Sequence, residues 1–486
     1  MSGLFNQIAG LLWGLPIIFL ILGVSVYYTV IMKFPQFTQL KEMFRLLKER
    51  GESEEGLSPF QSFIFTAART IGVGNIAGMA MGIYFGGPGA IFWLWVLALF
   101  GSSIAILEGT LGQTYKQVIH NEYKSGPANY MAKGFKSKRL GKGFAIAYSL
   151  ITAISLTFLM SGVQAFYIVQ GLHDAFNLPV IILAIAFTLL LGIVIFGGLK
   201  RIGHTSQKLS PIAGLVYVTL SLIVIVVNYR KMPEVISLIF QSAFGQQAVF
   251  GAVVASALQW GIRRGVHANE IGIGTSAITS ATAQVSHPAQ QGLLGGLSVY
   301  IGTLFVCTTT TFMILVTDSY NVIHPNGTLI HQGVPGLQAG NPFVAHAIQS
   351  VIPIPNIGNV IVALAILIFA FVALTAYYLY AESSLAYIVG DQSKVFVGLK
   401  CCFLVSIFIG TMVVSDVIWA MADIGYGLMA WTNVIALLFV GHQGVRIVKD
   451  YTDQRAQGIK KPSFVPESLG LEPHKGIWDQ EADRMG

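Results

Sequence analysis

The chain has 486 residues, of which 54% are hydrophobic and only 10% charged, with a mean hydropathy of +0.67; this composition belongs to a polytopic membrane protein, not to a large soluble fold. Unbroken apolar runs exclude a β-barrel, whose strands would be about ten residues long and alternating. The formal net charge of +7 does not indicate a nucleic-acid partner, because Lys and Arg lie in the connections between apolar runs, where membrane orientation puts them.

The first apolar run, residues 10–32, is expected to be a retained transmembrane helix: no Lys or Arg precedes Lys33, whereas a secretory signal carries a basic stretch ahead of its apolar run. From Lys33 to Gly56, Phe37, Leu40, Phe44 and Leu47 recur at helical spacing among mixed charges, which predicts an amphipathic helix on the cytoplasmic surface. Further spans are expected near 62–84, 89–113, 143–171, 179–199, 211–228, 246–284, 290–317, 357–381, 396–415 and 418–440, making an all-α integral membrane protein of 11 helices. Each covers roughly 30 Å of hydrocarbon at about 1.5 Å per residue. Cys307, Cys401 and Cys402 fall inside these runs and read as small core residues, without disulfide or metal spacing.

Orientation follows from charge. With the N-terminus outside, the connections holding Lys116 to Lys142, Lys200 to Lys208 and Lys394, and the tail from Arg446, are cytoplasmic, while the outer connections hold only Arg230 and Lys231. The expectation is a multi-pass plasma (inner cell) membrane protein with its C-terminus cytoplasmic. In the outer loop 318–356, Phe343, Ala347, Ile348 and Val351 share a helical face, either a lid over an outer vestibule or a plain surface helix.

Two spans are interrupted. Thr70-Ile-Gly-Val-Gly-Asn-Ile-Ala-Gly78 breaks the second run, and Arg263-Arg-Gly-Val-His-Ala-Asn-Glu-Ile-Gly-Ile-Gly-Thr275 breaks the seventh. Backbone freed from helix at bilayer depth persists only where protein, water or ligand satisfies it. Setting the first span aside leaves two sets of five, each opening on a broken helix and, five being odd, crossing in opposite senses. This is the inverted-repeat pattern of a secondary transporter with its site between the breaks. The division is an extra N-terminal helix (1–32), a cytoplasmic helix and linker (33–61), the first repeat (62–228), an extracellular connection (229–245), the second repeat (246–440) and a cytoplasmic tail (441–486).

Gly72, Gly74 and Asn75 would allow close backbone approach to a carboxylate at a half-helix N-terminus, where free N–H groups and the dipole favour an anion. Packing is the competing reading, since Gly74, Gly78, Gly82 and Gly86 repeat every fourth residue. In the second break Arg263, Arg264, His267 and Glu270 are too costly for lipid and must face the protein interior. Arg263, Arg264 and Glu270 read as a charge network bracing the break. Glu108 and Glu382 read as ion-pair or gating partners, and Arg69 as a cytoplasmic gate residue.

The runs Gly74-Asn-Ile-Ala-Gly78, Gly86-Gly-Pro-Gly-Ala-Ile-Phe-Trp93, Ser125-Gly-Pro-Ala128, Arg263-Arg-Gly265 with Asn269-Glu270, and Phe369-Ala-Phe371 with Tyr380 and Glu382 occur in order from about residue 60 to 440. Together they resemble the alanine or glycine:cation symporter family of amino-acid carriers, the sodium:alanine symporter type. The resemblance implies a LeuT-type 5+5 core with one added N-terminal helix, taking up a small neutral amino acid with sodium as the co-transported ion. It also implies Asn269, Gly272 and Gln164 as substrate-site residues.

Departures from the family pattern fall at the site. Relatives commonly carry Thr at Val73, Phe at His267, Asn at Phe166 and Trp at Tyr377. Many carry a Thr pair at Val372 and Ala373, whose hydroxyls would join first-break carbonyls at Gly72 and Val73 around sodium. Val372 and Ala373 offer no side-chain oxygen, which leaves carbonyls, water or Thr375 to replace them. His267 supplies another route, since an imidazole changes charge between about pH 5 and 8. Proton coupling is therefore the alternative to sodium, and a non-transporting amino-acid sensor is a third reading. An enzyme is not expected: there is no His-Glu-x-x-His, no Gly-x-Ser-x-Gly and no dinucleotide fingerprint.

Overall fold

The computed structural model describes residues 2–48, 62–63, 72–119, 122–245, 253–390, 392–473 and 477–478, and over 198–210 the helical backbone alone. Among these, seven helices are long and apolar enough to cross a bilayer: Gly3–Ile31, Ala90–Thr114, Lys138–Phe176, Pro288–Val316, Ile357–Val389, Ser393–Gly410 and Ser415–Ala456. Helices are the solution such runs require, because each satisfies its backbone within one segment in a medium that offers no hydrogen bonds. The other four expected spans take different forms. Residues 179–199 give the shorter helix Val180–Ile195, and 211–228 lie in a helix bent by 75° against the next one, which ends at Ala243. The remaining two are the broken segments.

The first helix is interrupted at Trp13 and Gly14, just ahead of Pro16, and restarts as Leu15–Ile31. It is pinned to the last helix by two buried bonds: Trp13 Nε1 donates to the Asp423 carbonyl at 2.8 Å, and Tyr28 Oη to the Leu437 carbonyl at 2.6 Å. Two long helices contain π-turns, Ser155–Met160 and Ile301–Cys307. Such turns widen a helix locally and concentrate at functional places. The first faces Gly425 of the last helix, where an added Cβ would lie 2.8 Å from Met160 Cγ.

Several expected boundaries move. The connection 229–245 contains the helix Met232–Ala243, with Val235, Ile239 and Ala243 buried. The last helix continues past 440 to Ala456, and the tail folds back so that Phe464, Leu471 and Trp478 pack on Ala283, Val285 and Ile447. Residues 318–356 form a two-stranded hairpin, Asn321–Ile323 with Leu329–Gln332, then the helix Asn341–Gln349, which buries Phe343, Ala347 and Ile348. Of the cysteines, Cys307 is buried as expected, but Cys401 and Cys402 are exposed; a thiol is small and apolar enough to face lipid as readily as protein.

Over 33–48 the expected surface helix is two short pieces, Pro35–Thr38 and Leu40–Leu46; its remainder, 49–56, lies outside the described residues. Pro35, Gln36, Met43 and Leu46 are buried, the last two packed with Leu293, Leu294 and Leu297, whereas Phe37, Leu40 and Phe44 point outward. Both faces are apolar, so periodicity alone could not say which one meets the protein.

Candidate functional site

At the first break Gly72 is extended (φ −144°) and leads into a single 3-10 turn, Val73–Asn75; Ile76 (φ −106°, ψ −80°) then resets the chain before the helix Ala77–Gly86. Two N–H groups released by the break are met by side-chain amides. Gly72 N–H donates to Asn75 Oδ1 at 3.1 Å, and Val73 N–H to Gln164 Oε1 at 3.2 Å. Asn75 Nδ2 in turn donates to Cys307 Sγ at 3.1 Å and to the Gly302 carbonyl at 3.5 Å, both in the Ile301–Cys307 π-turn. Gln164 Nε2 donates to Tyr377 Oη at 3.4 Å, and Tyr377 Oη lies 2.6 Å from Tyr426 Oη. A buried chain of polar groups thus runs from the break to the last helix.

The two interrupted segments touch. A Cβ placed on Gly74 would sit 2.9 Å from His267 Cδ2 and 3.2 Å from the Ala268 Cα, so only glycine lets the first break lie on the end of the helix Val254–Asn269. His267 packs on Tyr426 with ring centroids 4.2 Å apart and the rings tilted by 33°, which joins it to the same wall as Tyr377.

In the second break helix ends at Asn269, Glu270 adopts the left-handed region (φ 55°), Gly272 and Gly274 follow at φ 79° and 90°, and helix resumes over Thr275–Ala281. Here glycine is required twice, since positive φ is disfavoured for other L-residues. The freed backbone is answered from distant helices. Asn433 Nδ2 donates to the Gly272 carbonyl at 3.0 Å, Tyr148 Oη to the Ile273 carbonyl at 2.6 Å, and Gly274 N–H to Glu108 Oε1 at 3.1 Å. Asn433 Nδ2 also donates to Glu108 Oε1 at 2.7 Å, and Tyr130 Oη donates to Asn433 Oδ1. Glu270 Oε2 accepts from Thr275 Oγ1 at 2.7 Å. Asn269 donates through Nδ2 to the Gly265 carbonyl at 3.3 Å, and its buried Oδ1 has no partner among the described residues.

Arg263 and Arg264 share one carboxylate. Arg263 Nη2 lies 2.5 Å from Asp423 Oδ2, and Arg264 Nη2 bonds Asp423 Oδ1. The guanidinium groups lie over Trp260 at 4.7 and 5.1 Å, and that of Arg264 over Trp419 at 4.6 Å, a stacking that suits a weakly hydrated planar cation. Arg264 Nη1 is 3.5 Å from His267 Nδ1. These groups form one side of a cavity of about 410 Å³ that also meets Asp416 and Met81.

The expected residues are therefore distributed as follows. Gly72, Val73, Gly74, Asn75, Gln164, His267 and Tyr377 come together, while Asn269 and Gly272 flank them at the second break. Ala373 packs against the first break, 3.6 Å from a Cβ built on Gly72. Val372 and Ala373 are buried, and the Thr375 hydroxyl donates at 2.7 Å to the Val372 carbonyl of its own helix. Glu382 pairs with Lys124 at 2.5 Å. Arg69 lies outside the described residues. Asp423, Tyr426 and Asn433 were not singled out by sequence reasoning, although their spacing of three and then seven puts them on one face of the last helix. A lone intramembrane acid such as Asp423 was the available signal.

Against this geometry stand the protein's relatives. It is 40% identical over 484 residues to the putative sodium/proton-dependent alanine carrier protein YrbD of Bacillus subtilis, covering 99% of this chain and 98% of that one. It is 38% identical over 440 residues to the sodium/proton-dependent alanine carrier protein of Bacillus sp. strain PS3, covering 90% and 97%. With the sodium/alanine symporter AgcS of Methanococcus maripaludis it shares 30% identity over 464 residues, covering 94% and 98%. These relatives are carriers and not enzymes, and the sodium:alanine symporter family matches residues 1–466. An all-helical chain with two broken segments in contact, matched almost end to end by carriers, is a multi-pass membrane transporter belonging to the sodium:alanine symporter family.

Proposed function

We propose that this protein imports a small neutral amino acid of the alanine or glycine class together with sodium, by alternating access around the two breaks. The observation that carries the reading is the pair of N–H groups at Gly72 and Val73, each held by an amide oxygen from Asn75 or Gln164. Carboxylate oxygens are stronger acceptors than amide oxygens, so a substrate carboxylate can take over these donors at the positive end of the half-helix beginning at Ala77. The opposite charge has its own support. The C-terminus of the helix Val254–Asn269 carries the negative end of a helix dipole, and Asn269 Oδ1 is a buried acceptor with no partner among the described residues. His267, Tyr377 and Tyr426 form a wall of rings against which a small apolar side chain would pack.

In this reading the chain has a LeuT-type core of two five-helix repeats, 62–228 and 246–440, behind an extra helix at 1–32, with the N-terminus outside. Arg263 and Arg264 with Asp423 form the outer gate above the breaks. Glu108 and Glu270, with Arg69, belong to the inner one.

Proton coupling is the second reading. It is favoured by the oxygen-free side chains of Val372 and Ala373 and by the Thr375 hydroxyl bonded to its own helix, with His267 the titratable side chain beside the breaks. Uptake of radiolabelled alanine and glycine into proteoliposomes, with sodium and pH gradients imposed separately, tests both. Accumulation driven by sodium supports the proposal, accumulation driven only by pH replaces its coupling ion, and binding without flux under either gradient makes the protein a sensor.

A further inference from the structure

Residues 33–48, which follow the first helix, carry an outward surface that none of the described residues covers. Lys33 and Phe34 are both in the left-handed region, φ 57° and 56°, a conformation that costs non-glycine residues about 1 kcal/mol or more each. They turn the chain sharply at the end of Leu15–Ile31 and start the two short helices Pro35–Thr38 and Leu40–Leu46. The inner face is fixed: Met43 and Leu46 are buried, and Gln36 Nε2 donates to the Leu99 carbonyl at 3.4 Å.

Charge is sorted between the two faces. Glu42 is the single acidic residue between positions 33 and 48, and it is turned inward. It accepts from Arg45 at 2.7 and 2.8 Å and from Tyr451 Oη at 2.5 Å, and lies 3.2 Å from Arg455 Nε. That leaves Lys33, Lys41 and Lys48 exposed, alongside exposed Phe34, Phe37, Leu40 and Phe44. The apolar part of this face continues the exposed Tyr27, Val30 and Ile31 of the adjoining span, so it belongs to the surface that lipid covers.

We infer that residues 33–48 form a docking surface for anionic phospholipid, the aromatic side chains entering the acyl boundary and Lys33, Lys41 and Lys48 engaging headgroup phosphates. Basic side chains beside an apolar face are the combination that binds an anionic interface more strongly than a zwitterionic one. The same segment rests on the helix Pro288–Tyr300 and, through Glu42, on the last helix, so bound lipid braces both.

The test is thermal unfolding of the detergent-purified full-length protein titrated with phosphatidylglycerol or with phosphatidylcholine. Phosphatidylglycerol should raise the melting temperature at lower concentration than phosphatidylcholine. Lys33→Gln, Lys41→Gln and Lys48→Gln should each weaken phosphatidylglycerol binding by about fivefold, while Lys136→Gln, Lys138→Gln and Lys142→Gln, on another exposed basic stretch, should leave it unchanged. Equal response of the wild type to the two lipids would overturn the inference without any variant being made. Undiminished phosphatidylglycerol binding by the first three variants, equal losses in both sets, or the same stabilisation by inorganic phosphate alone would also overturn it.

Discussion

Gln164 and Val73 are 91 positions apart and joined by one hydrogen bond, 3.2 Å from the Val73 backbone N–H to Gln164 Oε1. Through Tyr377 the same glutamine reaches Tyr426 on the last helix, so one side chain ties the first interrupted helix to the wall opposite. A group placed there senses whatever occupies the break.

Gln164→Ala should therefore tighten apparent substrate binding by about tenfold, because the Val73 N–H, left unpaired in the empty site at a cost of ~1.4 kcal/mol, regains a partner only from the substrate carboxylate. Asn75→Ala should act in the same direction through Gly72. Both variants should reach the membrane at normal levels. Concentration-dependent uptake in proteoliposomes measures this, and unchanged affinity in both would remove these residues from the site.

Asp423→Ala leaves the Arg263 and Arg264 guanidinium groups buried without their carboxylate. Removing one member of a buried ion pair costs about 3–5 kcal/mol, so the melting temperature should fall sharply and uptake should be lost. The triple replacement Arg263→Gln, Arg264→Gln, Asp423→Asn should recover much of the thermal stability. If the single variant melts like the wild type, the triad is not bracing the break.

Gly274→Ala should be among the most damaging single-methyl changes. The residue sits at φ 90°, and a Cβ there would overlap Pro127 and the Tyr148 hydroxyl. Left-handed strain together with overpacking costs about 3 kcal/mol or more. Gly398→Ala is the control: it lies within the helix Ser393–Gly410, where a Cβ meets nothing within 4 Å, and should stabilise by up to about 1 kcal/mol. Paired thermal melts of the two variants decide the point.

Stability should fall on mild acidification because of His287, which precedes the span beginning at Pro288. Its Nδ1 accepts the Ala289 N–H at 3.2 Å, so the neutral ring carries its proton on Nε2 and donates to Asp450 Oδ2 at 3.1 Å. Burial lowers its pKa below the ordinary 6.5, the Asp450 carboxylate opposing only in part. The unfolded chain then binds more protons than the folded one just below that value, so unfolding free energy rises with pH there. The contribution is fully present above about pH 6.5 and is lost as pH falls toward the lowered folded value. Melting temperature followed from about pH 7.5 to 5.5 should show the fall, and His287→Asn, which keeps a capping acceptor without a titrating group, should flatten it. An identical slope in the variant would assign the effect elsewhere.

The breaks were legible because their signals are local. Gly72, Gly74, Gly272, Gly274 and the ionisable residues after Trp260 stand out in apolar runs whatever the rest of the fold does. Their partners were not, because Asn433, Tyr148 and Asp423 reach the second break from helices far away in sequence, and nothing near each residue names the backbone atom it will meet. The π-turn beside Asn75 was equally hidden, since Ile301–Cys307 reads as ordinary apolar helix. At positions 33–48 the helical period was visible, but two apolar faces competed and only the neighbouring Leu293 and Leu297 decide which is buried.

The central claim is that a zwitterion lodges between the two interrupted helices, and a structure of the protein determined with bound alanine tests it most directly. The carboxylate should lie within hydrogen-bond reach of the Gly72 and Val73 N–H groups, with Gln164 Oε1 moved off Val73 and the ammonium group near Asn269. Alanine found instead in the cavity beside Arg263 and Asp423, with the Gln164 to Val73 bond intact, would contradict it.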